Sequence, residues 1–386
     1  MKSVEELRAL RKVYIGGIGI VRFQRYDDQE YYDFGSQAIL NCLEDAEMEW
    51  KDIQAAFCGN VYAGTGKGHQ VCAEVGLTGI PIINIEQACS SSSAAFRLGY
   101  QMIATELYDI VIAAGFEKMG RGLLASTAFK PWELSLGFNV QPANYAQDVI
   151  RYMADHGATE EDFARVVVME RKNANLTPHA RWYQGGEVTI EEVLNSRVVA
   201  APIRLLHAAA MLDGAVAIIL CSEDKLKSRI SREKKIEVAA SVHHTGYYGE
   251  NSIKFKAETD HVKEAAKQAF EMSGYGPEDM DVIQAYEAMA PAFLWHVEYM
   301  GFCQPGEAGR LLKEGYFDVG GKLPANTDGG LVGCGHPLGA TGGRQIFEVI
   351  TQLREAAGPR QAQGAKIGLT QTMGAGPNCC VTILKR

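Results

Sequence analysis

The residue best suited by type to form a covalent bond with a carbonyl carbon is Cys89, in the stretch "QACSSSSAAF" that follows the apolar run "IPIINI". A thiol is a strong nucleophile only as thiolate, and its pKa, about 8.5 when free, falls beside a histidine or at a helix N-terminus. The serines after Cys89 open a helix whose unpaired N–H groups point back at the sulfur. Those groups can also hold an oxyanion when the sulfur attacks a thioester or ketone. The small side chains at positions 90 to 94 leave room for a substrate to come close. The competing reading is the common fate of cysteine, packing in a core as a small hydrophobe.

A base for that thiol is found far away in sequence. His336 lies in "NTDGGLVGCGHPLGATGG", where seven glycines between residues 329 and 343 imply backbone folded tightly around something or approached by it. A neutral imidazole takes a proton from a thiol near neutral pH, so Cys89 and His336 make a nucleophile and base if the fold joins them. No other chemistry competes strongly. The segment "GGIGIVRF" has Arg22 where a dinucleotide fingerprint needs its third glycine, and no cluster has zinc-ligand spacing, so neither a nicotinamide nor a metal is expected.

The elements that must join them repeat. "KVYIGGIGIV" reads as a buried strand, "FGSQAILNCLEDAEME" as a helix, and "DIQAAFCGNV" and "IPIINI" as strands. After Cys89 come the helix "SSSSAAFRLGYQMIATE" and the buried strand "YDIVIAAGFEKM". The second half begins again with "KKIEVAASVHHTG" and "HVKEAAKQAFEMSG", and "DMDVIQAYEAMA" echoes "WKDIQAAFCG" through a shared Ile-Gln-Ala. "GHPLGATGGRQIFEVITQLREA" then stands where the Cys89 helix stood, "KIGLTQTMGAG" where "DIVIAAGF" stood, and "NCCVTIL" closes the sheet. Such a long period indicates two fused copies of one α/β unit, with Cys89 and His336 in equivalent places about a pseudo-twofold axis. The expected division is an N-terminal half over 1–119 and its end over 201–233, an insertion over 120–200, and a C-terminal half over 234–386. An insertion between halves suits a lid or ligand-binding unit. Residues 303–325 read as a loop.

Composition sets the class. At 386 residues with 47% hydrophobic and 22% charged residues, the chain has the make-up of a globular protein large enough for two packed units. A formal charge of −9 argues against a nucleic-acid binder. The charged start "MKSVEELRALRK" and the lack of an apolar run of membrane-spanning length point to a cytoplasmic protein without a membrane segment. Nine cysteines without a CxxC pair suit a reducing compartment.

Three segments, "QACSSSSAAFRLGYQMI", "NTDGGLVGCGHPLGATGGRQ" and "GLTQTMGAGPNCCVTIL", resemble the signature regions of thiolases, in order and over essentially the whole chain. "PIRLLHAAAMLDGAVAIILCSEDK" is most similar to the sterol-carrier-protein and archaeal branch. The resemblance implies a duplicated fold with two βαβαβ-type halves in a five-layered α-β-α-β-α arrangement and an inserted loop domain. It implies that Cys89 becomes acylated, that His336 activates it, and that the Cys89 N–H and that of Gly374 or Gly376 form an oxyanion hole. Coenzyme A as co-substrate, held mainly by the insertion, with Gly335 and Gly339 as contacts, and a homodimeric core are also implied.

The sequence departs from that pattern where thiolases commonly carry a second cysteine. Met373 occupies one such place, and "AYEAMA", with Tyr286 and Glu287, the other. Proton transfer then falls to His336, Tyr286, Glu287 or a water. The implied activity is cleavage of a 3-oxoacyl-CoA by coenzyme A, with an aromatic substrate of the benzoylsuccinyl-CoA type and a small zinc- and OB-fold-containing partner subunit as one form of it. Tyr286 keeps open a thiolase-like retro-aldolase acting on a 3-hydroxyacyl-CoA, as in steroid side-chain breakdown. The lost cysteine keeps open a non-catalytic subunit that binds acyl-CoA substrates.

Overall fold

The computed structural model describes residues 4–120, 130–137, 140–226, 235–246, 254–375 and 377–386. Its strands are β1 (Tyr14–Ile20), β2 (Ala55–Gly59), β3 (Ile82–Ile85), β4 (Ile110–Glu117), β5 (Val198–Ala200), β6 (Ile203–Arg204), β7 (Gly214–Cys221), β8 (Glu237–Thr245), β9 (Val282–Gln284), β10 (Ile367–Gly374) and β11 (Asn378–Lys385). The helices that bear on the site are α1 (Tyr31–Ala46), α2 (Lys67–Val75), α3 (Ser91–Ala104), α4 (Gln141–His156), α5 (Glu160–Asn175), α6 (Lys254–Ser273), α7 (Ala292–Tyr299), α8 (Gly330–Cys334) and α9 (Thr341–Leu353).

Nine of the strands form one sheet in the order β3-β2-β4-β7-β1-β8-β11-β10-β9. Read outward from the β1–β8 junction, the two sides match. β1–β7 and β7–β4 are antiparallel and β4–β2 and β2–β3 parallel. On the other side β8–β11 and β11–β10 are antiparallel, β10–β9 is parallel, and Ala325 supplies a parallel bridge to Ile283 where a last strand would stand. The duplicated order read from the sequence is therefore present. Its supporting detail is not, because the shared Ile-Gln-Ala is out of register by three residues, Ile53 standing opposite Met280 rather than Ile283. The Gln54 N–H bonds the Ile110 carbonyl as the Asp281 N–H bonds that of Ile367, and Ala56 meets Pro81 as Ile283 meets Pro324. Carried to the end of the strands, this register places Tyr286 opposite Gly59. Such an odd shift turns each side chain to the opposite face, but β2 and β9 are buried on both faces, so hydrophobic alternation does not reveal it.

That alternation builds the layers. Ala56, Cys58, Ile112, Ala114, Ala217 and Ile219 face α1 and α2 in one apolar cluster. Their neighbours Ala55, Phe57, Val111, Ala113, Ile218 and Leu220 face Phe96 and Tyr100 of α3 in the other, as the period of two requires. Helix α3 also reaches β8 of the other half, α9 reaches β1 and β7, and α6 covers the outer side of β8 and β11. The result is the five-layered order that the resemblance implies, with α3 and α9 in the middle.

In the intervening region, Thr159 caps α5 by accepting the Asp162 N–H, and Gly157, at φ +69°, ends α4. The expected loop over 303–325 contains a short helix, Ala308–Lys313, because the half-desolvated carboxylate of Glu298 takes the Gly306 and Ala308 N–H groups at 2.9 and 3.1 Å.

Helices α3 and α9 touch where neither carries bulk. A Cβ on Gly342 would lie 2.0 Å from Ser93 Oγ and 3.0 Å from its Cβ, and the Gly343 N–H donates to Ser92 Oγ at 2.8 Å. Turning the Ser93 hydroxyl aside would still leave its Cβ in contact. Gly342→Val is therefore expected to destabilise the protein by about 1–3 kcal/mol through overpacking, read as a lower midpoint in thermal unfolding. An unchanged midpoint would show that the two helices do not meet as described.

Candidate active site

Cys89 sits on a tight turn between β3 and α3. The preceding residue, Ala88, has φ +47°, a left-handed conformation that costs a residue bearing a Cβ about 1–2 kcal/mol. The serines hold it there. Ser91 Oγ donates to the Ala88 carbonyl at 2.7 Å and accepts the Gln87 N–H at 2.9 Å, while Ser90 Oγ bonds the Gln87 carbonyl at 2.8 Å and the side chain of Asn378. All four serines are buried. They fix the turn and pack against α9 rather than clearing a path for substrate, which corrects the expectation from their size.

His336 and Tyr286 converge on this turn. The His336 N–H is tied to the Ala210 carbonyl at 2.7 Å, and its ring Nδ1 lies 2.7 Å from Thr341 Oγ1. Thr341 gives its own hydrogen to the Pro337 carbonyl at 2.9 Å, so the hydroxyl accepts from Nδ1–H. That assigns the proton to Nδ1 and leaves the Nε2 lone pair open. The Tyr286 hydroxyl lies 3.3 Å from Nε2 and also hydrogen-bonds the Cys89 thiol. Tyr286 is 4% exposed, with its N–H on Gln371 Oε1 at 2.9 Å and its carbonyl taking His296 Nδ1–H at 2.5 Å. A chain of hydrogen bonds thus runs from sulfur through phenol to imidazole.

These groups are neutral. Burial pushes the Cys89 thiol up to about 11; the Tyr286 hydrogen bond works the other way, and the nearby Glu117 and Glu86 carboxylates add to the rise. Burial, helped by the Arg344 charge, takes His336 down to about 3, and burial holds the Tyr286 phenol well above its usual range. A thiolate–imidazolium pair is therefore disfavoured at rest. Low polarity disfavours separated charges, and the acidic neighbours oppose a second negative charge.

The remaining candidates are placed as follows. Glu287 is fully buried and accepts Asn326 Nδ2–H at 3.0 Å, the Leu331 N–H and the Val332 N–H at 3.3 Å, so its bonds go to the 326–332 backbone side of the site and not to Cys89, Tyr286 or His336. The two glycines expected to contact the cofactor are occupied by protein. The Gly339 N–H donates to Glu117 Oε2 at 3.0 Å and a Cβ there would lie 2.5 Å from the Phe116 carbonyl, while a Cβ on Gly335 would lie 2.3 Å from Leu212. Both therefore have a packing reason to be glycine, since tight backbone apposition needs glycine as much as a ligand does. Gly374 is buried with its Cα side against the Gln87 carbonyl, two residues from Cys89; Gly376 lies outside the described residues.

Two residues escaped the sequence reading. Thr341, which sets the His336 tautomer, had a signal in its place at the start of the helix after "GHPLGA". Glu117 ends the apolar strand "IVIAAGFE" as a lone charge and gathers the N–H groups of Val61, Tyr62, Ala63 and Gly339. Burial raises it to about 7 against those four bonds. His179, Asp328 and Cys334 bring three donor types together, but Arg344 is already bonded to Asp328 with both side chains fully buried, which opposes a cation there.

Residues 18–175 match the family described as thiolase, N-terminal domain, and residues 242–386 match the thiolase C-terminal domain-like family. The chain belongs to the thiolase family. It is 35% identical over 388 residues to an acetyl-CoA acetyltransferase of Methanothermobacter thermautotrophicus, covering 98% of this chain and 100% of that one. To the benzoylsuccinyl-CoA thiolase subunit BbsB of Thauera aromatica it is 36% identical over 373 residues, 95% of each chain. Among solved structures, one described as an Ltp2-ChsH2(DUF35) aldolase superposes with a TM-score of 0.84 at 25% identity, over 97% of this chain and 98% of that one. The protein is thus an enzyme of the thiolase acyltransferase class.

The neutral thiol of this thiolase has a direct consequence. With a pKa of about 11, iodoacetamide labelling of Cys89 is expected to be slow near pH 7 and to rise about tenfold per pH unit up to roughly pH 10, following the thiolate fraction. Peptide mass mapping with Cys89→Ser as the blank reads this. A rate that levels off below about pH 8 would restore the ion pair that the structure argues against.

Proposed function

We propose that the protein cleaves a 3-oxoacyl-CoA with coenzyme A through an acyl-Cys89 intermediate, and that Tyr286 and His336 carry the proton usually handled by a second cysteine. The observation that carries this reading is the hydrogen-bonded chain from Cys89 through Tyr286 to His336 Nε2. As the sulfur attacks the C3 carbonyl, the thiol proton passes to the phenol oxygen and the phenol proton to Nε2. The C2–C3 bond then breaks, leaving the acyl group on sulfur and an acyl-CoA carbanion at C2. The imidazolium returns the proton along the same path to C2. Coenzyme A next attacks the acyl thioester, and the same chain takes its thiol proton and restores it to Cys89. One proton shuttles, so a second acid is not required. The Cys89 N–H lies against its own sulfur, and Gly374 packs beside the same turn, which supports a role for both in holding the developing oxyanion.

Similarity to the benzoylsuccinyl-CoA thiolase subunit over 95% of the chain supports an aromatic acyl group as substrate. Tyr62 and Tyr145, close enough to feel Cys89 and Tyr286 electrostatically, add aromatic surface at the site. Coenzyme A is assigned mainly to the 120–200 insertion, and 1–119 with 201–233 and 234–386 to the two halves. A homodimeric core is supported by β3, an edge strand that leaves Ile83 44% exposed. The relative named as a subunit and the neighbour named with a DUF35 partner support a further small subunit. Among the described residues no helix is long and apolar enough to cross a membrane, and a cytoplasmic location fits this.

A second reading is favoured by the Tyr286 hydroxyl itself and by the aldolase neighbour. Tyr286, backed by His336, would take the hydroxyl proton of a 3-hydroxyacyl-CoA, and no acyl-cysteine would form. The two readings separate in one experiment. Under the thiolase reading Cys89→Ala abolishes thiolysis, and Tyr286→Phe or His336→Ala slows acylation by about 10²–10⁴-fold, with an acyl adduct on Cys89 still found by intact-mass spectrometry of Tyr286→Phe. Cleavage of 3-hydroxyacyl-CoA without any adduct, lost in Tyr286→Phe, would replace the thiolase by the aldolase.

A further inference from the structure

Behind the reacting residues lies a pair of carboxyl groups that the proposed chemistry does not use. Glu170, on α5, and Glu287, next to Tyr286, are both fully buried and both accept from the one amide of Asn326, at 2.8 and 3.0 Å. They crowd the same backbone atom: a Cβ on Gly330 would lie 2.4 Å from Glu287 Oε1 and 2.5 Å from Glu170 Oε1. Two carboxylates so close in a dry interior do not both stay ionised.

Their surroundings say which one holds the proton. Glu287 receives the Leu331 and Val332 N–H groups and feels the Arg344 guanidinium of α9, itself paired with Asp328. Glu170 receives only Asn326, and its Oε2 is buried with no hydrogen-bond partner. An unmet oxygen is costly on a carboxylate and far less so on a neutral acid. The other ionisable groups facing the pair are Tyr286 and Arg344, which reach it from two different elements.

Asn326 extends the connection. Its Oδ1 accepts the Ala285 N–H at 2.8 Å, and its carbonyl accepts Asn173 Nδ2–H, again from α5, at 3.1 Å. The segment carrying Tyr286 and the segment running through α8 to His336 are therefore both fastened to one helix through this cluster. We infer that Glu170 is a positioning residue: its protonated carboxyl donates to the Glu287 carboxylate, and the single shared proton keeps Tyr286 and His336 in register with Cys89.

Burial raises both groups. Burial and the Glu287 charge hold Glu170 well above the usual carboxylate range, so the shared proton is kept at neutral pH, and its loss at alkaline pH leaves two negative charges that push the segments apart. Glu170→Gln removes the titration but keeps an N–H donor, so it retains kcat near pH 7 and carries activity to higher pH. Glu170→Ala removes the donor and lowers kcat by up to about 10²-fold through misplacement of the base, with little change in KM.

The test has two arms. Infrared spectra of the full-length protein between about pH 7 and pH 10 should show a protonated-carboxyl band that disappears at high pH in wild type and is missing throughout in Glu170→Gln. The kcat–pH profiles of wild type and both variants, with a 3-oxoacyl-CoA that wild type turns over, should show the alkaline fall moved upward by Gln and kcat lost in Ala. Only this second arm rests on the thiolase reading, so a failure of substrate turnover leaves the infrared result standing. A wild-type band that persists in Glu170→Gln, or a Gln variant whose alkaline fall is unmoved, overturns the inference.

Discussion

The site depends on how closely the two central helices and their leading loops approach one another. A Cβ on Gly115 would lie 2.5 Å from the Gly339 carbonyl, one on Gly59 2.6 Å from the Ser91 carbonyl carbon, and one on Gly342 2.0 Å from Ser93 Oγ. Only glycine and serine fit this seam. Cys89 stands just before one helix and His336 just before the other, so the separation of nucleophile and base is set by backbone apposition. Close-packed interiors transmit such placement faithfully because they yield little to side-chain adjustment.

Packing this tight excludes water, and the dryness governs the chemistry. Charges in the centre survive only in pairs, as in Asp328 with Arg344 and Glu348 with Arg360. Burial works against ionising Asp328, yet the guanidinium outweighs it and holds the carboxyl well below its usual range. Cys89 and His336 have no such partner in place at rest, so burial keeps both neutral. A neutral thiol beside a neutral base needs a path for one proton, and the Tyr286 hydroxyl supplies it.

The duplicated framework is symmetric in topology and asymmetric in content. In the register set by the paired backbone bonds, Tyr286 occupies the place that Gly59 has in the first half. One copy thereby keeps the space for a helix start, and the other projects a phenol toward the thiol. Relatives named as an acetyltransferase, a thiolase subunit and an aldolase share this framework. A shared fold does not fix the reaction, which depends on the side chains placed at the site.

The amino-acid sequence by itself determined the α/β alternation, the duplication, and the candidacy of Cys89 and His336, because each is written in local pattern: apolar period, small residues at a helix start, glycines around a histidine. It also displayed Tyr286 in a segment where thiolases commonly carry a second cysteine. It did not reveal that Ile-Gln-Ala is shifted by three residues, since strands buried on both faces read as continuous apolar runs in either register. Nor could it show that Gly335 and Gly339 pack closely against protein, because glycine answers equally to a protein or a ligand neighbour. The protonation of Cys89, His336 and the Glu170–Glu287 pair was decided only by tertiary structure. A pKa depends on burial and on the charges that distant segments bring within a few ångströms, and Glu117, Thr341 and Arg344 reach the site only once the chain has folded.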